Sequence, residues 1–262
     1  MNAFELSYNA LMCRDISDKI TMVSQLHTLK NTQSLDYQSS FHVQTVEFPG
    51  RPNKPTLARF NSMPKREKSD LGYIETIHAI CHIEFNAINL ALDAAYRFRD
   101  MPDQFYQDWI QVAFEESQHF QLLSNYLVEL GYQYGDFEAH NGLWKMTFET
   151  DYDVLARMAL VPRVLEARGL DATPKIQNRF RNSNFKPMVK LLDIIFQDEI
   201  GHVKIGNFWF HYLCRNRQLN PIDTFESLIQ KHIGESLRGP FNIDARKSAD
   251  FTDQEIAYLQ EL

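Results

Sequence analysis

Two short motifs in this 262-residue chain pair a carboxylate with an imidazole: Glu116-Ser117-Gln118-His119 and Glu199-Ile200-Gly201-His202. Side chains three positions apart leave the same side of a helix, so each pair can reach one metal ion. Two further glutamates, Glu84 and Glu166, precede these pairs by 32 and 33 residues. The pattern is thus Glu followed by Glu-x-x-His, stated twice. Four carboxylates and two imidazoles, a lone Glu from each of two helices and a Glu-x-x-His pair from each of two others, form the ligand set of a dinuclear carboxylate centre in a helical bundle. Such oxygen and nitrogen donors suit iron or manganese better than metals that favour thiolates. Four carboxylates also offset the charge of two divalent ions. The expected cofactors are two transition metal ions, iron first, with manganese or a mixed pair as alternatives.

A third match, Glu75-Thr76-Ile77-His78, is separated by helical phase. At about 100° per residue, Ile77, Ile80, Ile88 and Ala91 share the face of Glu84. Glu75, His78, His82, Asn86, Asn89 and Asp93 lie on the far side. His78 and His82 therefore read as a solvated face, or as an interface with the N-terminal arm. The same test places Val112, Ala113, Leu123 and Leu127 beside Glu116 and His119. It places Leu192, Ile195, Gly206 and Trp209 beside Glu199 and His202, and Met158, Ala159 and Pro162 beside Glu166. Isolated carboxylates on such apolar faces are costly to bury, and metal ions would supply their partners. The acids just before the two pairs, Asp198 and Glu115, are candidates to accept the second N–H of a ligand histidine on a neighbouring helix.

The elements that must carry these residues follow from the distribution of apolar residues, glycine and proline. One helix is expected over about Ala3 to Leu29. The stretch from Asn31 to Pro64 holds Pro49, Gly50, Pro52, Pro55 and Pro64 and short β-like pieces such as Phe41-His42-Val43. So many prolines exclude a helix interior, and an extended arm lying over the bundle is expected. Four long helices follow: about Lys68 to Arg99; Asp103, as N-cap, to Leu130, with Gly131 as the C-terminal cap; Phe148 to Arg168, stopping at Gly169; and Phe185 to Arg215. The tail should add helices near Pro221 to Ile233 and Asp253 to Leu259. No strand run is long enough for a sheet. The fold class is all-α: a ferritin-like four-helix bundle at 67–216, an N-terminal helix and proline-rich arm at 1–66, and a short helical C-terminal extension at 217–262. Pro162, four residues before Glu166, should bend the third helix and free a carbonyl, either opening a path to the metals or leaving a tolerated kink. The aromatic loop from Tyr132 to Met146, with His140 and Trp144, is a candidate lid or simple packing.

Composition narrows the classes. With 44% apolar and 13% aromatic residues the chain can bury a large core. A net charge of -7 excludes a broadly basic nucleic-acid surface. Arg97, Arg99, Arg157, Arg163, Arg168, Arg179 and Arg181 are available to meet a phosphate-bearing substrate or to solvate the surface. The three cysteines, Cys13, Cys81 and Cys214, are scattered and odd in number, which fits a reduced, cytoplasmic compartment. The N-terminus lacks the basic start and apolar run of a secretory signal, and no apolar stretch reaches the length of a membrane span.

Several stretches resemble a ferritin-like family called domain of unknown function 455: Phe48-Pro49-Gly50-Arg51-Pro52-Asn53-Lys54-Pro55, His82-Ile83-Glu84, Glu116-Ser117-Gln118-His119, the run Leu160 to Asp171, and Asp198-Glu199-Ile200-Gly201-His202. The likeness covers roughly residues 40 to 215. More distantly the chain resembles the di-iron hydroxylases that act on modified tRNA. That resemblance implies an oxidoreductase that activates O₂ to hydroxylate or oxidise a substrate, small molecule or modified RNA, with an electron-donor protein as partner. An iron-handling ferroxidase or storage protein, a manganese enzyme consuming peroxide and a non-catalytic binding module are the alternatives. A monomer or small homo-oligomer is expected, since the arm and C-terminal extension disfavour a cage.

Overall fold

The computed structural model describes residues 1–58, 67–234 and 237–261. Pro64, the last proline of the expected arm, lies outside them. The chain divides into two compact units, Met1–Phe148 and Glu149–Leu262. This cut falls between the two Glu…Glu-x-x-His repeats, so each unit carries one of them.

The first unit is built on a hairpin of two long helices. Helix α3, Asp70–Arg97, starts where the Ser69 side chain accepts from the Gly72 N–H, and Asp70 and Arg97 match the helix dipole at its two ends. Helix α4, Asp103–Glu129, follows a five-residue turn. Asp103 is its first residue rather than its cap: Pro102 precedes it, and no side chain caps that end. At the other end Gly131 takes φ of +82°, as the expected stop requires. Ile77, Ile88, Leu123 and Leu127 between the two helices are fully buried.

The expected single N-terminal helix is two: α1, Ala3–Met12, and α2, Ile16–Asn31. The break comes at Asp15, whose side chain accepts from the Asp18 N–H and starts a new helix. Both pack on the hairpin, Phe4 edge-on to Tyr106 at 5.1 Å and His27 stacked on Phe114 at 3.9 Å. The described part of the arm, residues 32–58, holds no helix. The Gln44 N–H donates to the Tyr96 hydroxyl at 2.6 Å, and the Trp144 indole donates to the Glu47 carbonyl at 2.9 Å. Phe41–Val43 is not a strand. Apart from an isolated bridge between Asn2 and Asp36, β pairing among the described residues is one two-residue parallel ladder, β1 (Leu57–Ala58) on β2 (Ala139–His140). Helix α5, Gly142–Glu149, follows it.

These layers bury α3 almost all round, so of the two readings of His78 and His82 the solvated face is the one corrected. Asn89 and Asp93 are fully buried, and so is His78; His82 is 6% exposed. Each polar group is met from a covering segment or its own helix. The Lys19 ammonium donates to Asn89 Oδ1 at 2.7 Å, and the Arg97 guanidinium grips Asp93. The His82 ring lies 2.8 Å from the Tyr134 hydroxyl and 3.1 Å from the His140 carbonyl, and the Gly135 N–H donates to His78 Nε2 at 2.9 Å. The loop after α4 is therefore packed down, Tyr134 meeting Phe85 and Phe120.

The second unit departs further from expectation. Its first helical run does not stop at Gly169. Helix α6, Val154–Leu160, passes into a π-helical segment, Val161–Glu166, which passes into α7, Ala167–Arg181. Pro162 has no N–H for the carbonyl four residues back, and the wider i→i+5 register absorbs that defect without ending the helix. A glycine inside a helix costs only about 1 kcal/mol, so Gly169 alone could not end it. Helix α8, Pro187–Asn216, packs on this run. At Gly206 a Cβ would fall 2.3 Å from Pro162 Cβ, so only glycine lets α8 approach the π segment there. Helix α9, Pro221–His232, and α11, Asp253–Glu261, lie where expected; α10, Ile243–Ser248, is an addition to the expected elements. The all-α expectation holds. No described helix is long and apolar enough to cross a membrane, and Cys13, Cys81 and Cys214 are free.

Candidate metal centre

In the first unit, Glu84 projects from the middle of α3, and Glu116 and His119 from the middle of α4. His119 Nδ1 lies 3.3 Å from Glu84 Oε2 and 3.4 Å from Glu116 Oε2. All three residues are at most 3% exposed. Burial works against a charged His119, but the Glu116 and Glu84 carboxylates outweigh it and raise the imidazole to about 11. Two acids forced together in an apolar place thus hold a cation between them.

In the second unit, α8 carries Glu199 and His202, with His202 Nδ1 3.7 Å from Glu199 Oε1. His202 is 1% exposed and Glu199 13% on its side chain. Glu166, half-buried, is the last residue of the π segment. Glu84, Glu116 and His119 bring their donor atoms close enough together to hold a metal ion. Glu166, Glu199 and His202, predicted as ligands with them, belong to the second unit. The donors are carboxylate oxygens and imidazole nitrogen, with no thiolate. Of the two acids expected to orient imidazoles, Asp198 is half-buried. Glu115 accepts from the Gln111 amide at 2.7 Å, and the Gln111 carbonyl in turn meets Lys30 and His27 of α2.

Sequence reasoning missed the group that fixes the π segment. Arg163 is fully buried, its guanidinium 4.0 Å from the Phe210 ring centre and 4.2 Å from that of Phe225. It donates to Glu255 of α11, which is also fully buried. Glu255 further accepts from the Thr252 N–H and hydroxyl at 2.9 Å and faces His211 at 3.3 Å. Burial pushes the Glu255 carboxyl up, but His211, Arg163 and the Thr252 N–H prevail and bring it down to about 2. Arg246 of α10 grips Asp171 of α7 in the same region. Thr252-x-x-Glu255 is a capping-box pattern visible in the sequence; nothing in the sequence says that its glutamate also holds a buried arginine 92 positions away. The arginines offered as phosphate contacts include three that are spent inside. Arg97 pairs with Asp93, Arg157 donates to Thr150 at 2.8 Å, and Arg163 pairs with Glu255.

Comparison with known proteins extends the resemblance beyond the expected 40–215. The family described as "Protein of unknown function (DUF455)" matches residues 12–257. A Haemophilus influenzae protein described as uncharacterized is 50% identical over 219 residues, covering 80% of this chain and 76% of its own. No solved structure matches.

Proposed function

Because the chain belongs to the DUF455 family, whose description assigns no activity, we propose its function from the side chains themselves: a dinuclear metal oxidoreductase that uses O₂ to hydroxylate or oxidise a substrate. The observation that carries this reading is the packing of His119 against Glu84 and Glu116 at 3.3 and 3.4 Å in a water-excluded place. It is supported by the same Glu-x-x-His pairing at Glu199 and His202. In this reading Glu84, Glu116, His119, Glu166, Glu199 and His202 ligate two ions, iron before manganese. Glu84, Glu116, Glu166 and Glu199 would supply the carboxylate ligands, and His119 and His202 the imidazoles. Asp198 orients a ligand imidazole. The bound ions supply the redox chemistry with O₂.

The chain's own contribution is geometric and electrostatic. Four carboxylates balance two divalent charges, and the buried apolar faces keep water from the reacting atoms. Helix α3, covered on its far side by α1, α2 and the loop after α4, cannot rotate Glu84 away. The π register gives Glu166 a direction that a plain helix would not. His119 would serve as a ligand through its neutral imidazole, giving up the proton it shares with Glu84 and Glu116.

The test is anaerobic loading of the purified chain with ferrous iron, then mixing with O₂. About two irons per chain, oxygen consumption and an oxidised di-iron spectrum are expected. Oxygen uptake absent from fully loaded protein would remove the redox reading, and failure to load would remove the metal reading.

A further inference from the structure

The Phe48–Pro55 stretch takes no part in the metal centre, yet it forms a cleft in the first unit, about 400 Å³ in volume. Arg14, Arg51, Asn53, Gly50, Phe48 and Met12 line it, and no carboxylate does. Its floor is rigid: the Gly50 N–H donates to the Leu11 carbonyl at 2.9 Å, and a Cβ on Gly50 would come 2.3 Å from the Cys13 oxygen. The arm's main chain therefore lies directly on the end of α1.

The two guanidiniums are held by neutral acceptors. Arg14 donates to Asn53 Oδ1 at 2.8 Å and to the Arg51 carbonyl at 3.4 Å. Arg51 donates through Nη1 to the carbonyls of Pro55 at 3.1 Å and Pro52 at 3.4 Å. Neither pairs with a carboxylate among the described residues. The nearest acid in sequence, Asp15, is engaged in capping α2. Two oriented arginines with Nε, Nη1 and Nη2 donors to spare form a bidentate anion receptor, and they stand out in a chain of net charge -7. Beside them the Phe48 ring is 63% exposed and Met12 37%, an apolar face that a planar group can cover.

We propose that this cleft binds a nucleoside phosphate, the phosphate on Arg14 and Arg51 and the base on Phe48. The volume suits one nucleotide, whether free or as the end of an RNA chain. The inference does not rest on the metal centre and survives its failure.

The experiment is calorimetric titration of the full chain with AMP, adenosine, inorganic phosphate and a short 5′-phosphorylated RNA. Arg14→Gln and Phe48→Ser are compared with the unaltered chain. Both side chains are exposed, and an unchanged melting temperature verifies the fold. AMP should bind, with adenosine and phosphate each weaker by about tenfold or more. Arg14→Gln should weaken AMP and phosphate by about tenfold. Phe48→Ser should weaken AMP and leave phosphate unchanged. RNA binding tighter than AMP, with the same two sensitivities, supports the site and assigns it to a polymer end. No heat with any of the four up to about 5 mM, or binding that both variants leave intact, overturns the proposal. Binding of phosphate alone, indifferent to Phe48, overturns it as well.

Discussion

The two units carry the same ligand pattern and hold it by different means. In the first, Glu84, Glu116 and His119 sit mid-way along uninterrupted helices, at most 3% exposed, and the covering layers fix them from behind. In the second, Glu166 ends a π-helical segment, Glu199 keeps 13% of its side chain exposed, and a C-terminal helix reaches in through Glu255 to hold Arg163. Regular secondary structure needs only packing to aim a side chain. An irregular segment needs a specific polar anchor, because a π turn is not a free-energy minimum of the isolated chain. The first cluster should therefore tolerate change around it, and the second should depend on residues far away in sequence.

Two effects of about 3–5 kcal/mol lead, and the first concerns the centre itself. Saturating iron should stabilise the wild-type chain by about 3–4 kcal/mol, the linkage expected when metal exceeds its dissociation constant some hundred- to thousandfold. Glu116→Ala should abolish that gain, as thermal unfolding with and without ferrous iron would show. An equal gain in the variant would break the idea that α4 supplies a ligand.

Glu255→Ala sharpens the contrast next. It leaves the Arg163 charge buried without its carboxylate, a loss of about 3–5 kcal/mol. Hydrogen exchange should show that loss in α6 to α11 and spare α3 and α4. Uniform loosening of both units would contradict it.

Acid should separate the units by pH. Burial and the charges around it hold His82 down at about 4, against an ordinary value of 6.5. Its folded pKa is lowered, so the unfolded chain binds the proton first. The stability that the neutral ring contributes is complete above about pH 6.5 and lost as pH falls towards 4, at most about 3 kcal/mol. Glu255, at about 2 against 4.5, loses its contribution later, as pH falls from 4.5 towards 2. Exchange measured down the pH scale should show the first unit loosening before the second. Removal of the His82 group by His82→Gln should flatten the earlier step.

The smallest effect is a gain. A methyl added at Gly169 would meet nothing within 4 Å, and the residue lies inside α7. Gly169→Ala should stabilise by about 0.5–1 kcal/mol in chemical denaturation. A loss would mean that the helix does end there, as the sequence pattern suggests.

These cases show what the sequence could reveal. Helical phase sufficed for Glu84, Glu116 and His119, because an acid on an apolar stripe is visible in one helix alone. It left His78 and His82 between a solvated face and an interface, since burial of a polar stripe depends on which segment folds over it, here α2 with Lys19 and the loop with Tyr134. Gly169 misled because a residue's cost is weighed against the packing of a whole helix, which local rules do not contain. The all-α class and the tail helices at Pro221 and Asp253 followed from proline, capping residues and apolar spacing. The Arg163–Glu255 anchor did not, as long-range pairing leaves no local signature.

The central claim, that ligands from both repeats meet on one pair of ions, is tested most directly by a crystal structure with anomalous scattering at the iron and manganese edges. The account predicts two peaks, both within coordination distance of ligands drawn from Glu84, Glu116, His119, Glu166, Glu199 and His202. Metal-supplemented crystals with no peak there, or with Glu166 and His202 turned away from any ion, would contradict it.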